Sequence, residues 1–501
     1  MKIGFEFIVD ETPLMISVAE KLRREYSIEI IGVTLGNRFK HLLRNKKFTL
    51  VNLGEFLNTQ WEHYKVTEKE MLKLEERYGD THNLRLFVDA DRFTTDINKH
   101  KFPSKEKKLK LLCLHFKFWE EFFDKFSCDY FYSTGAAFLS SLISIAVAQR
   151  RGVKYRLCYA ASFNEPRVVF VKNYFDKWED VNELYERVKK YDAHPENFDE
   201  AMKFISHFRQ QPARPSFSKA PKFYSSATIF AKEFFRRLKW IYVDGWGRGR
   251  CDYITPPLFG RVFLEAKVIL KRKWLNFYFH SNALRIPPNN VEYVFLPLQI
   301  QPEATCDIWG MYFSHQIAFI ENVAKSLPFN VILCVKEHPY AMGRRKGLKG
   351  YYQAIRRLSN VELVHPLADT YEFIKNAKAV VINSSTVGWE ALLLKRPVIA
   401  FGEAFYNHSS LLYKLDTFSE LKKTLKQILS PEWQFPKDYD EKLTKFVYAL
   451  KEKTFPGLIN AYYWGERELL SEKNVENIYR ALAHDCGLRS QNGAGESLET
   501  H

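Results

Sequence analysis

The alternation of strand and helix patterns between about residues 291 and 402 constrains the fold of this chain more than any other feature. Short apolar runs typical of buried strands are "VEYVFLPLQ", "NVILCVKEHP", "VELVHP", "AVVIN" and "PVIAF". Between them, segments such as "HQIAFIENVAKSLP" and "STVGWEALLLK" have the apolar spacing of helices. Strands that alternate with helices predict a doubly wound parallel sheet, so we expect a Rossmann-like nucleotide-sugar domain over 291–430.

The first half of the chain has a weaker version of this pattern. A predicted helix, "AAFLSSLISIAVAQRRG", separates the predicted strands "DYFYSTG" and "KYRLCYA". We therefore expect an α/β fold with two Rossmann-like domains facing a cleft, the first over 1–180 binding the acceptor. A helical basic insert is expected over 181–290, and helices over 431–485 are expected to pack back on the first domain. The polar segment 486–501 is predicted to be a disordered tail.

The charge of the chain points to an anionic partner. There are 75 Lys and Arg against 59 Asp and Glu, a net charge of +16, which suits phosphates, an acidic glycan or an anionic membrane surface. Lys232–Trp274 contains eleven basic and four acidic residues with interleaved Trp. This segment fits either contact with a membrane or acidic acceptor or a solvated helical insert. Nucleic-acid binding is not expected, because no recognition motif accompanies the charge.

Cysteine spacing and apolar runs indicate the compartment. None of the 7 cysteines forms a Cys-x-x-Cys pair or has zinc-ligand spacing, so we expect reduced cysteines and no metal site. The run "FLSSLISIAVA" is far shorter than the ~20 residues that span a bilayer, and "MKIGFEFIV" lacks a signal-peptide pattern. We expect a cytoplasmic protein, either free or peripheral at the inner face of the cell membrane.

The motif "NSSTVGWE" follows a predicted strand in the second domain, where ligands of open α/β sheets bind. Ser384, Ser385 and Thr386 begin a helix, so their hydroxyls and the first-turn N–H groups suit an anion. Gly388 is expected to allow close approach of backbone or ligand. Glu390 is expected to accept hydrogen bonds from a ribose diol. An ordinary Ser-capped helix is the alternative interpretation.

The motif "KEHP" ends another predicted strand. Lys336 and His338 are expected on one face of the strand, with Glu337 on the other. The imidazole of His338 can donate to a phosphate oxygen or protonate a leaving phosphate. Pro339 stops the strand. A second His-Pro pair, at His365, receives a structural interpretation.

Two further motifs lie at predicted strand ends. In "PLQIQPEA", the alternating residues Gln299, Gln301 and Glu303 are expected to line the cleft between the domains, and Gly402 in "FGEAFY" is expected at the ligand edge. The chain contains neither a P-loop nor a Gly-x-Gly-x-x-Gly fingerprint.

Together these motifs resemble the capsule polysaccharide biosynthesis family, which includes the bacterial Kdo transferases of group 2 capsules. The resemblance covers about Val294 to Tyr406 through "LPLQIQPEA", "VKEHP" and "VVINSSTVGWEALLLKRPVIAFGEAFY". It implies a two-domain glycosyltransferase fold (GT-B), and its motifs are similar to those of sialyltransferases that use a CMP-sugar. It also implies that His338, Ser384 and Ser385 hold the donor phosphate while Glu390 approaches the nucleoside.

The chain departs from the family in its first domain. Kdo-transferring members carry acidic residues near the end of the strand that matches "YRLCYA", but here Ala160, Ala161 and Ser162 stand there. The candidates for the catalytic carboxylate are therefore Glu6 and Glu165, beside His338. Because Glu6 lies inside a predicted strand, it fits a polar group satisfied within the fold equally well.

The resemblance implies a metal-independent glycosyltransferase of surface polysaccharide biosynthesis. It would transfer a sugar, with Kdo from CMP-Kdo as one candidate, to a glycan or lipid-linked acceptor, and it would need no cofactor besides the nucleotide-sugar. One alternative is a sugar-nucleotide 2-epimerase of the same fold, which releases nucleoside diphosphate without an acceptor. Another is a non-catalytic polysaccharide binding or export factor, which binds glycan without donor turnover.

Overall fold

The computed structural model of the protein describes most of the chain. The described residues are 1–91, 104–135, 138–161, 165–175, 177–191, 198–212, 235, 258–343, 345, 348–460 and 466–488. Most of the basic segment predicted over Lys232–Trp274 lies outside them, as do Ser162 and residues 489–501 of the predicted tail.

The first half of the chain forms an α/β domain around a seven-stranded sheet. Its strands are β1 (Lys2–Phe7), β2 (Glu29–Thr34), β3 (Thr49–Asn52), β4 (Tyr130–Ser133), β5 (Lys154–Ala161), β6 (Arg167–Val171) and, from later in the chain, β13 (Phe455–Pro456). Its helices are α1 (Thr12–Tyr26), α2 (Lys40–Leu43), α3 (Leu53–Trp61), α4 (Glu68–Tyr78), α5 (Leu84–Ala90), α6 (Lys105–Phe126) and α7 (Leu139–Arg150). The parallel order β3-β2-β1-β4-β5 reverses between β1 and β4, which is the topological switch point of a Rossmann-like sheet.

The second half contains a six-stranded sheet in which every pairing is parallel. Its strands are β7 (Glu292–Pro297), β8 (Val331–Lys336), β9 (Val361–Val364), β10 (Ala379–Ile382), β11 (Val398–Ala400) and β12 (Tyr413–Lys414). Its helices are α11 (Ala304–Asp307), α12 (Gln316–Ser326), α13 (Leu348–Arg356), α14 (Thr370–Asn376), α15 (Thr386–Leu393) and α16 (Leu421–Ile428). The order β9-β8-β7-β10-β11-β12 reverses between β7 and β10, so the switch point lies there.

Burial explains why these apolar runs become central strands. Every residue of β10 is fully buried, as expected when helices cover both faces of a parallel sheet. The two sheets share the same order of parallel strands, and helices connect successive parallel strands within each sheet. The predicted α/β fold with two Rossmann-like domains is therefore confirmed.

The remaining helices are shared between the two domains. They are α8 (Glu179–Tyr191), α9 (Phe198–Gln210), α10 (Leu258–Asn282), α17 (Tyr439–Lys453), α18 (Glu466–Leu469) and α19 (Glu472–Asp485). Helices α8 and α9 pack against α17, where Tyr185 meets Phe446 at 5.2 Å between ring centroids, and all three join the core around Trp389 of the second domain. By contrast, α19 packs on α1, where Glu476 pairs with Lys21.

The helices after residue 430, which were predicted to pack back on the first domain, contact both domains. Helix α17 packs its apolar face on α8 and α9 in a cluster that includes residues of both domains, and its Lys451 carbonyl accepts a hydrogen bond from Arg167 of β6 at 2.6 Å. Helix α19 packs on α1 of the first domain. Cys486, which the sequence assigned to the tail, lies with Sγ 3.1 Å from Tyr132 Oη, and Leu488 packs on the same apolar cluster. The described structure therefore continues past the predicted boundary at 485, as far as Leu488.

The two domains contact each other through aromatic residues. Trp309, which follows α11, donates from Nε1 to the carbonyl of Tyr174 at 2.7 Å. Trp178 at the start of α8 stacks on Phe405, with 4.3 Å between ring centroids. Among the described helices, none combines the length and the apolar character that crossing a membrane requires.

Candidate functional site

Polar residues gather at the carboxyl edge of the second sheet, around its switch point. They follow β7, β8, β10 and β11, and they include most of the site residues predicted in this domain. Ligands of open α/β sheets bind outside the carboxyl ends of the strands at this point. The contacts made by each side chain show which groups are accessible to a ligand and which form hydrogen bonds within the protein.

The two serines that follow β10 have different surroundings. Ser385 is the N-cap of α15, and its Oγ accepts a hydrogen bond from Val387 N at 3.3 Å. Ser384 is buried; its hydroxyl donates to the carbonyl of Thr305 and accepts from Gln299 Nε2 at 3.2 Å. Ser385 is half-buried and Thr386 is exposed. The accessible part of the predicted anion site is therefore the first turn of α15, with Ser385 and Thr386.

Gly388 is packed closely, but against protein. A Cβ atom there would lie 2.3 Å from Tyr406 Oη, and that hydroxyl donates to the carbonyl of Ser385. The close approach predicted at Gly388 is thus made by Tyr406, which secures the start of α15. Glu390, two residues further along α15, is half-buried, and its Oε1 accepts from Tyr371 Oη at 3.3 Å.

Asn383, which sequence reasoning did not select, clamps the loop beside the site. Its Nδ2 donates to the carbonyls of Gly310 at 3.1 Å and Phe313 at 3.3 Å. A Cβ atom at Gly310 would lie 2.1 Å from Asn383 Nδ2, and one at Gly402 would lie 2.7 Å from its Oδ1. Gly402 therefore makes room for this amide. In the sequence, the only feature that could have pointed to these contacts of Asn383 is the pair of glycines that leave space for its amide.

The residues after β7 divide between internal and surface contacts. Gln299 is buried, and its backbone N–H and carbonyl bond to the side chain of Gln316 at 3.0 and 3.2 Å. Gln301 is exposed and donates from Nε2 to Asp307 Oδ1 at 2.6 Å. Glu303 is half-buried and accepts from Thr305 Oγ1 at 2.9 Å. Gln301 and Glu303 thus lie at the surface of this edge, whereas Gln299 braces it from inside.

The strand end "KEHP" differs from the prediction at Lys336. This side chain is buried, and its Nζ donates to the carbonyl of Pro366 at 2.8 Å, so it supports the loop after β9 instead of sharing the outward face with His338. His338 is half-buried at the start of a 3-10 turn over Pro339–Ala341, and its Nδ1 accepts from Tyr340 N at 3.2 Å. Because Nδ1 accepts, a neutral His338 ring carries its proton on Nε2.

The second His-Pro pair is part of the core. His365 is fully buried, and its Nδ1 accepts from Leu367 N at 3.1 Å. Burial, aided by the charge of Arg285, lowers the pKa of His365 to about 4, so the ring is neutral at physiological pH. These contacts agree with the structural interpretation given to this pair.

The two carboxylates predicted for catalysis in the first domain have different settings. Glu6 is buried and accepts from Ser133 at 2.5 Å, Ser140 at 2.6 Å and Ser141 at 2.7 Å. Burial raises the pKa of Glu6, although these hydroxyls partly oppose it. Glu165 is partly exposed, with Lys451 at 3.6 Å and Arg167 at 4.0 Å. In the part of the chain that the structure describes, the contacts of both carboxylates lie away from the strand ends of the second sheet.

The sequence matches a family model over this domain. Residues 266–427, about a third of the chain, match the model described as capsule polysaccharide biosynthesis protein. The resemblance to that family is confirmed for this part of the chain. The match includes the ends of β7, β8, β10 and β11, where the site residues lie.

The individual proteins that this chain resembles have low sequence identity to it. Protein FixF of Sinorhizobium fredii is 28% identical over 136 residues, which are 26% of this chain and 32% of that protein, so the chain matches about a third of its length. The β-Kdo 2,4-transferase KpsC of Thermosulfurimonas dismutans is 14% identical with a TM-score of 0.38, over 66% of this chain and 82% of that one. The UDP-GlcNAc 2-epimerase of Methanocaldococcus jannaschii is 12% identical with a TM-score of 0.24, over 90% and 100%.

Proposed function

We propose that this protein is a glycosyltransferase of surface polysaccharide biosynthesis that binds a nucleotide-sugar at the carboxyl edge of its second sheet. The observation that carries the proposal is the first turn of α15, capped by the neutral Ser385 hydroxyl at a Rossmann switch point, inside the matched family segment. A helix N-terminus at this place attracts a phosphate through its N–H groups and its dipole. Kdo from CMP-Kdo is the candidate donor.

In this proposal the chemistry depends on neutralising the leaving phosphate. Ser385, Thr386 and the N–H groups of α15 hold the phosphate, and His338 donates from Nε2 as negative charge develops. Glu390 approaches the ribose of the donor. Positioned donors of this kind stabilise charge in the transition state without requiring a metal ion or another cofactor. Activity should therefore persist in excess chelator, and loss of activity that added Mg²⁺ restores would contradict metal independence.

The acceptor is proposed to be a glycan or a lipid-linked glycan at an anionic membrane surface on the cytoplasmic side. Helix α10 supports this part, because Leu270, Trp274 and Phe277 lie one or two turns apart and are 68%, 49% and 74% exposed. Lys267 and Lys273 are exposed on the same helix. An apolar stripe flanked by lysines suits the interface of an anionic bilayer.

Sedimentation with vesicles tests the membrane part. Wild type should associate with vesicles that contain phosphatidylserine at low salt and dissociate at high salt. Trp274→Ala combined with Phe277→Ala should reduce the bound fraction. Equal recovery of wild type in the supernatant at both salt concentrations would refute membrane binding.

A thermal-shift screen with CMP, UDP and GDP tests the nucleotide site, because a ligand that binds only the folded state raises its apparent stability. At least one nucleotide should raise the unfolding temperature. Turnover of the matching nucleotide-sugar should then require an acceptor. Release of nucleoside diphosphate without an acceptor would indicate the epimerase reaction, and glycan binding without donor turnover would indicate a binding or export factor.

A further inference from the structure

A buried carboxylate lies directly beside His338 and is saturated with hydrogen bonds. Glu337 is fully buried, and Arg345 donates to it from Nε and Nη2, each at 2.7 Å. Tyr352 Oη donates at 2.7 Å and the backbone N–H of His338 at 2.5 Å. The carboxylate therefore ties together the end of β8, the following loop and α13.

Arg345 extends this network to the switch point. Its Nη2 also donates to the carbonyl of Gln299 at 2.6 Å, and Gln299 Nε2 donates to Ser384 Oγ at 3.2 Å. The hydroxyl of Ser384 in turn donates to the carbonyl of Thr305 in α11. One continuous chain of polar contacts thus connects the ends of β8, β7 and β10, which carry the proposed phosphate site.

Stability alone is a weak reason for such a pair. Burial opposes ionisation of Glu337, but the charge of Arg345 and the surrounding donors outweigh it and lower the pKa of this carboxyl, so the pair remains charged. Replacing a buried ion pair with apolar side chains is often neutral or even stabilising. An apolar side chain cannot replace the planar guanidinium of Arg345, whose N–H groups donate in fixed directions to the Glu337 carboxylate and to the Gln299 carbonyl.

We propose that Glu337 and Arg345 are positioning residues of the nucleotide site: they hold the His338 backbone and the Gln299–Ser384 contact in the geometry that binds the donor phosphate. This inference rests on the proposed function. Residues that bind a ligand need neighbouring residues that hold them, by packing and hydrogen bonds, within a fraction of an ångström of the geometry that binds. Without the pair, His338 and the start of α15 would still be present, but their relative placement would no longer be held.

The test separates positioning from stability. The variant Glu337→Met/Arg345→Met/Tyr352→Phe removes both charges and the hydroxyl that faces them. A matched control is Arg156→Met/Asp485→Leu/Tyr132→Phe, which removes an Arg–carboxylate–Tyr cluster from the first domain, where Arg156 Nε lies 2.9 Å and Tyr132 Oη 2.5 Å from Asp485. Thermal unfolding is measured for both, followed by calorimetric titration with whichever of CMP, UDP or GDP binds wild type.

The first variant should remain folded and bind nucleotide at least tenfold more weakly, while the control should bind like wild type. Should the first variant fail to fold, Arg345→Lys takes its place, because it keeps the charge but loses the fork; it should also bind at least severalfold more weakly. Affinity within twofold of wild type in either folded variant would overturn the inference. If wild type binds none of the three nucleotides, the proposed function fails, and this inference fails with it.

Discussion

The two switch points of this molecule have the same topology but different chemistry. In the first domain, Glu6 of β1 bonds to Ser133 of β4 and to Ser140 and Ser141 at the start of α7. In the second domain, the contact between the strands that flank the switch point joins a neutral amide, Gln299, to the hydroxyl of Ser384. The carboxylate of Glu337, at the end of the neighbouring strand β8, is paired with Arg345.

The helix that follows each switch point shows what this difference means. At α7, the protein uses its own carboxylates: Asp91 accepts from Leu139 N at 3.3 Å, and Glu6 accepts from Ser140 and Ser141. At α15, the cap is the neutral hydroxyl of Ser385. A helix N-terminus whose N–H and hydroxyl groups already bond to the protein's own carboxyl groups has fewer donors left for a phosphate. The comparison supports the proposal that the anionic donor binds to the second domain.

The largest expected effect comes from breaking the charged pair on one side only. Arg345→Met leaves the charge of Glu337 buried without its cation, which should lower the free energy of unfolding by about 3–5 kcal/mol. Urea denaturation measures this change. Arg24→Met is the control, because Arg24 pairs with Glu20 from a side chain that is 69% exposed and should change stability by less than about 1 kcal/mol. Equal effects of the two substitutions would show that the buried pair has no special role in the second domain.

The pH dependence of stability should have opposite signs at the two carboxyls. Since the folded pKa of Glu6 is raised, its contribution to stability is present below its unfolded pKa, about 4.5, and is lost as pH rises toward the folded value. Glu6→Gln should therefore gain stability relative to wild type as pH rises, by at most about 1.4 kcal/mol per pH unit. Urea denaturation between pH 4.5 and 8 measures this difference, and a constant difference would contradict the raised pKa of Glu6.

Glu337 provides the contrasting case, for which urea denaturation is extended below pH 4.5. Its folded pKa is lowered, so its contribution to stability is present above the unfolded pKa and is lost as pH falls through the folded value. Glu337→Gln should therefore be least harmful at acid pH. A Glu337→Gln difference that grows on acidification would show that the carboxyl is not held in its charged form.

A smaller effect distinguishes the cap of α15 from an ordinary cap. Ser385→Ala should lower stability by about 1 kcal/mol, as loss of an N-cap does, and should also weaken nucleotide binding. Ser471→Ala is a matched control, because Ser471 caps α19 with the same 3.3 Å contact, to Asn474 N. It should cost similar stability without changing nucleotide affinity. Equal nucleotide affinity in the two variants would assign Ser385 a capping role only.

Local sequence signals predicted the strand ends and the helix cap that form the candidate site. Apolar strands, helical spacing and the Ser cap are short-range features, so the order of elements, and the start of α15 to within one or two residues, followed from the residues alone. The sheet order then placed the strand ends at one edge. The direction of Lys336 did not follow, because its partner, the carbonyl of Pro366, is 30 residues away and comes near only in the folded domain.

The roles of Arg345, Gln299 and Ser384 could not be predicted from the sequence for the same reason. Arg345 lies in a loop without periodicity, and its contacts to Glu337 and Gln299 arise from tertiary packing. Gln299 and Ser384 were predicted as ligand contacts from their positions at strand ends, but both are buried in contacts with each other. Side-chain type at a strand end predicts that a site is near, but only packing shows which side chains face outward.

The most direct test of the account is calorimetric titration of the preferred nucleotide into wild type, His338→Ala and His207→Ala. His207 is an exposed histidine on α9, so it is a control for surface substitution away from the strand ends. If His338 donates to the donor phosphate, His338→Ala should lose about 1.5–3 kcal/mol of binding free energy, the range for a hydrogen bond to a charged group, and His207→Ala should bind like wild type. If His338→Ala binds nucleotide as tightly as wild type does, the donor phosphate does not lie at the end of β8.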